Sequence, residues 1–295
     1  MKQKMNRNRK KHKKMTIFEA YNDCKKKLQA AGIEDYVFES KQIIKHITGY
    51  SNTQILTQYT QPLTAFQQDN LTAIIKQRLI RYPLQYIIGR WNFYGREFFV
   101  GPGVLIPRSD TETLIDVCLE SISKKENPQV LDLCAGTGCI GITIKGERND
   151  ASVTLVEKFD EALNYTCKNA LHNNADVKLV KGDVLKTEGA DGLYDLIVSN
   201  PPYINEQDMK ALQPEVAFEP PTALEGGNDG LTFYRHIVRE YKKFLSAGGV
   251  LAFEVGINQA ESVAEMMREN GFVNIETRKD YGEIDRVVFG TVNNI

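Results

Sequence analysis

The segment Asp132-Leu133-Cys134-Ala135-Gly136-Thr137-Gly138-Cys139-Ile140-Gly141 carries the end of an apolar strand into a run of small residues and then into a helix. Small residues at such a turn let the backbone pass close beneath a ligand, and the first N–H groups of the following helix lack partners. Gly136, Gly138 and Gly141 also match the spacing of a dinucleotide fingerprint. Strand-to-helix turns need glycine for packing alone, so the loop by itself leaves the ligand open. Outward from it, apolar stretches at 129–133, 152–157, 177–180, 193–199 and 249–254 alternate with helical patterns, among them 231–245 and 259–269. That alternation predicts an α/β domain with a mostly parallel sheet covered on both faces. The closely spaced stretches 272–278 and 285–290 predict an antiparallel hairpin at the sheet's edge. Ser109 with Glu112 predicts the cap of the domain's first helix, running to about residue 123.

Residues 16–88 read differently. Thr16 with Glu19 and Thr64 with Gln67 are capping-box pairs, and three apolar stripes follow at helical spacing. These are Ile17, Tyr21, Cys24 and Leu28; then Val37, Ile43, Ile44 and Ile47; then Leu71, Ile74, Ile75 and Leu79. They predict a small helical bundle over 15–88 with no chemical constellation, an accessory or partner-binding domain. Between 89 and 108, Trp91-Asn92-Phe93-Tyr94-Gly95 and Phe98-Phe99-Val100 predict a β-hairpin linker, with the catalytic domain over 109–295.

With 295 residues and 42% apolar content, the chain can bury one large core and a smaller second one. The net charge of −1 conceals two opposed parts. Residues 1–14 hold eight Lys/Arg and no acid, which leaves 29 basic against 38 acidic residues, a body charge of −9. The basic tail 1–14 is expected to be disordered and able to touch RNA only weakly. Met15 opens a well-formed helix start, so the tail also reads as an upstream extension the fold does not use. Cys24, Cys118, Cys134, Cys139 and Cys167 are scattered, with no Cys-x-x-Cys pair, and the histidines are not in ligand spacing with them. No metal site is expected, and a reducing, cytoplasmic compartment fits. No apolar stretch approaches the roughly 20 residues of a membrane span, and no signal-peptide pattern is visible.

The chemistry concentrates at the strand ends. Glu157 closes the second strand, 21 residues after Gly136, where an acid can accept the ribose hydroxyls of a nucleoside. Asp183, after the third strand, is placed for an adenine edge. Those features suit NAD or S-adenosylmethionine equally. Asn200-Pro201-Pro202-Tyr203 follows Leu196-Ile197-Val198, and neither proline has an N–H to donate. The result is a rigid corner offering a carboxamide, carbonyl oxygens and an aromatic face. In an open α/β sheet such a corner lies beside the glycine loop, beyond the carboxyl ends of the strands. A planar NH2 awaiting alkylation suits it, whereas hydride transfer has no evident use for it. The same four residues also read as a plain strand-ending turn.

Together these segments resemble the bacterial methyltransferases that modify the glutamine of the Gly-Gly-Gln loop of peptide chain release factors. The resemblance covers nearly all of 15–295. It rests on Pro83-Leu84-Gln85-Tyr86-Ile87-Ile88-Gly89, Leu105-Ile106-Pro107-Arg108 with Thr111-Glu112, the cofactor loop, and the Asn-Pro-Pro-Tyr corner. It continues through Gly226-Gly227-x-Asp229-Gly230-Leu231, Phe253-Glu254-x-Gly256 and Asp285-Arg286. Asn-Pro-Pro-Tyr alone is shared with adenine-amino methyltransferases; the combination is far more specific. The resemblance implies a class I S-adenosylmethionine-dependent methyltransferase, Rossmann-like, with a seven-stranded, mostly parallel sheet. It places the donor's methionine over Cys134, Ala135, Gly136, Thr137 and Gly138, its ribose on Glu157, and its adenine at Asp183 and Val184. It makes Asn200, Pro201, Pro202 and Tyr203 the glutamine clamp, with Asn200, Pro201 and Tyr203 catalytic and Asn200 also touching the donor. Two departures are small: Cys134-Ala135 stands where Gly-Thr or Cys-Thr is commoner, and Ser109 replaces a proline after Arg108.

The rival readings are an N6-adenine methyltransferase of DNA or RNA, an NAD-dependent oxidoreductase, and a non-catalytic ribosome-associated module. Arg108, Glu112, Glu254 and Arg286 stand between functional and structural ion-pair roles, with the structural role favoured.

Overall fold

A computed structural model describes residues 15–293, and the chain divides after Ile88 into two compact units. The basic tail 1–14 and its expected disorder lie outside the described residues.

The first unit comprises α1 (Ile17–Ala30), α2 (Tyr36–Thr48), α3 (Asn52–Thr57), α4 (Ala65–Leu79) and α5 (Leu84–Ile88). Both expected capping boxes form: the Thr16 hydroxyl accepts the Glu19 N–H while the Glu19 carboxylate accepts the Thr16 N–H, and Thr64 and Gln67 repeat the exchange. A third box, Ser51 with Gln54, starts α3. Ile17, Cys24, Leu28, Ile43, Ile44 and Ile74 are among its core residues. Val37 and Leu79 are 40% and 45% exposed, unlike the rest of their stripes. They sit at the second residue of α2 and the last of α4, at the helix ends.

The second unit opens with the hairpin β1 (Arg90–Phe93) and β2 (Arg96–Phe99). Its two-residue turn, Tyr94-Gly95, has φ of 47° and 72°, which fits the right-handed twist of the flanking strands. Phe93 and Phe98 are buried in the core beneath the large sheet. The Asn169 carboxamide accepts the Phe99 N–H (2.6 Å) and donates to the Phe99 carbonyl (3.1 Å), fastening the hairpin there.

The sheet is built from β3 (Gln129–Leu133), β4 (Ser152–Glu157), β5 (Lys178–Lys181), β6 (Tyr194–Ser199), β7 (Leu245–Glu254), β8 (Phe272–Lys279) and β9 (Asp285–Val292). The spatial order is β5-β4-β3-β6-β7-β9-β8, parallel from β5 to β7, with β9 antiparallel to both its neighbours. The expected terminal hairpin forms, with its second arm inserted between β7 and β8 so that β8 is the edge. The helices are α6 (Glu112–Ser121), α7 (Cys139–Glu147), α8 (Asp160–His172), α9 (Thr232–Glu240) and α10 (Ala260–Glu269).

Side chains alternate across the sheet as the period of two demands. Val130, Leu196, Val198, Val250 and Ala252 face α6 and α7, whereas Leu131, Leu133, Ile197, Leu251 and Phe253 face α9 and α10.

Two boundaries differ from expectation. Ser109 begins a 3-10 turn, Ser109–Thr111, and makes no side-chain cap. The Glu112 carboxylate is instead taken by the Tyr94 N–H at 2.8 Å. The helix expected over 231–245 stops at Glu240, and after a single 3-10 turn, Lys242–Phe244, the chain enters β7 at Leu245.

Candidate active site

The carboxyl ends of β3, β4, β5 and β6 open onto one cavity of about 390 Å3, within the usual range of small-molecule sites. Cys134, Ala135, Gly136 and Thr137 line it after β3, and Glu157 does so at the end of β4. Asp183 and Val184 contribute from the loop after β5, and Asn200 and Pro202 after β6. Of the residues singled out in the sequence, Gly138, Pro201 and Tyr203 do not line it.

The loop after β3 is shaped by its backbone. Cys134 has φ of 61°, a conformation that costs of order 1–3 kcal/mol outside glycine and collects at functional sites. Gly138 caps α7 at φ 78°, and a Cβ there would lie 2.7 Å from Thr166 Cγ2 and 2.8 Å from Ile142 Cδ1. It therefore works from behind, letting α7 and α8 close up under the loop. Above Gly136, by contrast, a Cβ would meet only open space.

Two buried acids hold the loop. Glu157, 7% exposed, accepts the N–H groups of Gly136 (2.9 Å), Lys158 (2.7 Å) and Phe159 (2.9 Å). Asp132 continues the face toward α7 and accepts the Gly141 N–H at 2.9 Å. Burial pushes the Asp132 carboxyl up to about 7, opposed by that N–H and aided by the Glu157 charge. In the sequence Asp132 enters only as part of the loop, although an acid among Val130, Leu131 and Leu133 is its signal.

Asp183 pairs with Lys158 at 3.0 Å and accepts the Leu185 N–H at 3.1 Å. Burial works to raise its pKa, but those two donors outweigh it and hold the carboxyl below the ordinary range. Burial also pushes the Cys134 thiol far up, so it stays protonated and is no nucleophile.

The corner after β6 is braced from several sides. The Ile204 N–H donates to the Leu224 carbonyl and the Gly226 N–H to the Ile204 carbonyl, both at 2.8 Å. A Cβ on Gly226 would lie 2.7 Å from the Pro202 oxygen and from Tyr203 Cα, so only glycine lets these segments meet. Gln259 donates to the Tyr203 carbonyl and accepts the Gly256 N–H, each at 2.9 Å. The half-buried Tyr203 ring lies over Gly256; burial and the Glu254 charge push its phenol up, so it stays neutral. Across the cavity, buried Glu219 pairs with Arg108 and accepts the Ile106 N–H at 2.9 Å, pinning the Leu105–Arg108 wall.

Asn200 holds the informative atom. Its Nδ2 donates to Thr111 Oγ1 at 3.4 Å, while its Oδ1 is buried and has no partner among the described residues. A buried acceptor without a donor costs about 1–3 kcal/mol, so its natural complement is an N–H brought by a ligand. Thr111 and Gln259, which surround this corner, carry no role in the sequence reading, and Glu254 carries only that of a structural ion-pair partner. Their contacts run between distant segments and leave no local pattern.

The cavity fits S-adenosylmethionine on its own features. Glu157 offers its remaining acceptor site to a ribose hydroxyl, the floor above Gly136 is open, and the Asn200 acceptor stands over the end nearest β6.

Known proteins agree. The methyltransferase small domain family matches residues 110–218, and the PrmC N-terminal domain family matches residues 19–89. Release factor glutamine methyltransferase from Geobacter sulfurreducens is 38% identical over 90% of this chain and 93% of its own length. The protein of that name from Thermodesulfovibrio yellowstonii is 37% identical over 85% and 90%. In fold, a methyltransferase from Pyrococcus furiosus aligns with a TM-score of 0.53 at 17% identity, covering 78% of this chain and all of that one. The Thermus thermophilus 16S rRNA N2 G1207 methyltransferase, solved with AdoMet and guanosine, aligns with a TM-score of 0.50 at 22% identity over 69% of this chain and 50% of that one. The second unit thus has the class I S-adenosylmethionine-dependent fold, and the near full-length identities settle the rest: the chain belongs to the release factor glutamine methyltransferases.

Proposed function

We propose that the chain transfers a methyl group from S-adenosylmethionine to the side-chain amide nitrogen of the glutamine in the Gly-Gly-Gln loop of peptide chain release factors. The observation that carries the site assignment is the buried Asn200 Oδ1, without a partner among the described residues, beside the Glu157 cavity. In the reaction an N–C bond forms as the S–C bond breaks, the bonding pair stays on sulfur, and the nitrogen releases one proton to water. An amide nitrogen is a poor nucleophile because its lone pair is delocalised into the carbonyl. Bound in the cavity, S-adenosylmethionine supplies a methyl already activated by a sulfonium, so the chain's task is orientation.

Cys134, Ala135, Gly136, Thr137 and Gly138 shape the bed for the donor's methionine part, Glu157 takes its ribose, and Asp183 and Val184 meet its adenine. Asn200 Oδ1 accepts one N–H of the glutamine amide and the Pro201 carbonyl the other. Two fixed acceptors favour pyramidal nitrogen and aim its lone pair in line with the S–C bond. Pro202 stiffens the bend, and Tyr203, its ring over Gly256, braces that bend from behind. Positioning of this kind contributes up to roughly 7–11 kcal/mol to lowering a barrier.

The body charge of −9 favours a protein substrate over a nucleic acid, whose enzymes carry a basic binding face. Residues 15–88 serve as an accessory domain. The five cysteines are free, which suits the reducing cytoplasm, and among the described residues no helix is long and apolar enough to cross a membrane.

The test is incubation with labelled methyl donor and a purified release factor, followed by peptide mapping. Label should appear on the Gly-Gly-Gln peptide and vanish when that glutamine is replaced by glutamate. Label on DNA or RNA adenine instead would overturn the reading.

A further inference from the structure

One buried carboxylate near the reacting end has no use in the scheme above. Glu254 is 1% exposed, and its Oε2 has no hydrogen-bond partner among the described residues. It ends β7, where Ser199 and Phe253 are register partners, so Asn200 and Glu254 are the next residues along two adjacent parallel strands. Leu196 and Val198 on β6, and Val250 and Ala252 on β7, all face α6. Two residues further on, Asn200 and Glu254 continue that face and meet Thr111, the residue just before α6. Thr111 and Asn200 are among the side chains that hold the Glu254 carboxyl down against its burial.

We propose that Glu254 is a positioning residue for methyl transfer: as a carboxylate it draws the Asn200 NH2 toward itself and Thr111, which leaves Asn200 Oδ1 facing the substrate amide. A carboxamide can turn over and exchange its donor and acceptor ends, and only its partners decide between them. A carboxylate accepts and never donates, so it excludes the orientation that would set the Asn200 NH2 against the substrate's NH2. Its charge also polarises the carboxamide and makes Oδ1 a stronger acceptor. The inference rests on the clamp reading of Asn200.

The charged and titratable groups around Glu254 come from five elements: Arg286 from β9, Asp110 from the turn before α6, Tyr203 from the corner, Tyr234 from α9 and Cys139 from α7. Arg286 is committed to Asp280 at 3.0 Å and to half-exposed Asp110 at 3.4 Å. Both tyrosines and Cys139 are pushed up by burial and remain neutral. Burial pushes Glu254 itself up to about 7, opposed by Thr111, Arg286 and Asn200. Its ionisation therefore falls in the working range, and activity should rise with pH through it.

The test compares the wild type, Glu254→Gln and Asn200→Ala as full-length enzymes on a release factor, with single-turnover rates from pH 6 to 9. S-adenosylhomocysteine affinity and melting temperature are read alongside. Glutamine can offer Asn200 either end, so E254Q should lose on the order of 10- to 100-fold in rate at pH 8. Its affinity for S-adenosylhomocysteine should be unchanged and its melting temperature no lower, because a buried charge has been removed. The rise centred near pH 7 in the wild type should be absent from E254Q. A merely structural Glu254 would shift the melting temperature and leave the profile in place.

A wild-type rate that is flat across that range overturns the proposal even if E254Q cannot be purified. So does an E254Q rate within threefold of wild type while N200A is inactive. An N200A enzyme as fast as wild type removes the clamp reading itself.

Discussion

Replacing Glu157 with glutamine probes the donor site in a way the structure makes quantitative. A carboxylate has about four lone-pair sites, and three here are filled by the N–H groups of Lys158 and Phe159 on Oε1 and Gly136 on Oε2. One site on Oε2 remains for a ribose hydroxyl, where the sequence alone suggested an acid free to accept both. The glutamine side chain has a single acceptor oxygen. If it serves the two N–H groups of Lys158 and Phe159, its NH2 faces the Gly136 N–H and the ribose. One charge-assisted hydrogen bond to the ligand is then lost, worth about 1.5–3 kcal/mol, or on the order of 10- to 150-fold in affinity. Orphaning the Gly136 N–H costs a further 1–3 kcal/mol or so, felt in stability as well. Calorimetric titration with S-adenosylhomocysteine and urea unfolding of E157Q measure the two separately. A dissociation constant within threefold of wild type would refute the ribose assignment. Weakened binding with unchanged stability would refute the assignment of Glu157 as the brace of the loop.

Asn200→Ala should lower kcat by on the order of 10²–10³-fold with little change in donor affinity, because it removes an acceptor used only by the substrate amide; steady-state kinetics with a release factor check this, and equal losses in both contradict it. Gly226→Ala should cost about 1–3 kcal/mol in urea unfolding and slow turnover, since its Cβ would press on the Pro202 oxygen and Tyr203 Cα at 2.7 Å. Stability should fall as pH rises from about 4 to about 7. Asp132 and Glu254 keep protons in the folded state that the unfolded chain releases near pH 4, so their contribution is full below that value and gone above about 7. His236, which burial holds below its usual value, opposes part of this. Urea titrations at pH 5 and pH 8 should differ by on the order of 2 kcal/mol, with Asp132→Asn flattening the slope; equal stability at both contradicts it.

The parts legible in the sequence were those written locally. β3 and β4 begin and end where their aliphatic runs do, the capping boxes at Thr16 and Thr64 form, and a hairpin forms within 89–108, its turn at Tyr94-Gly95 rather than after Gly95. The cavity lining was legible for a related reason: in a parallel sheet every strand delivers its last residues to one edge, so Glu157, Asp183 and Asn200 meet wherever the strand order allows. What escaped depended on partners far along the chain. Ser109 fails as a cap because Tyr94 claims Glu112, and β9 slips between β7 and β8 although its sequence neighbour is β8 alone. Glu254 reads as a structural ion-pair partner until the β6–β7 register sets it beside Asn200. Tyr203 reads as a pocket aromatic, yet its ring lies over Gly256.

The most direct test of the central claim is a crystal structure of the enzyme with S-adenosylhomocysteine and a peptide bearing the Gly-Gly-Gln loop. The glutamine Nε2 should lie about 2.7–3.2 Å from Asn200 Oδ1, with Asn200 Nδ2 turned to Thr111 and Glu254. A glutamine bound by its carbonyl to Asn200 Nδ2, or seated away from the corner after β6, would contradict the account.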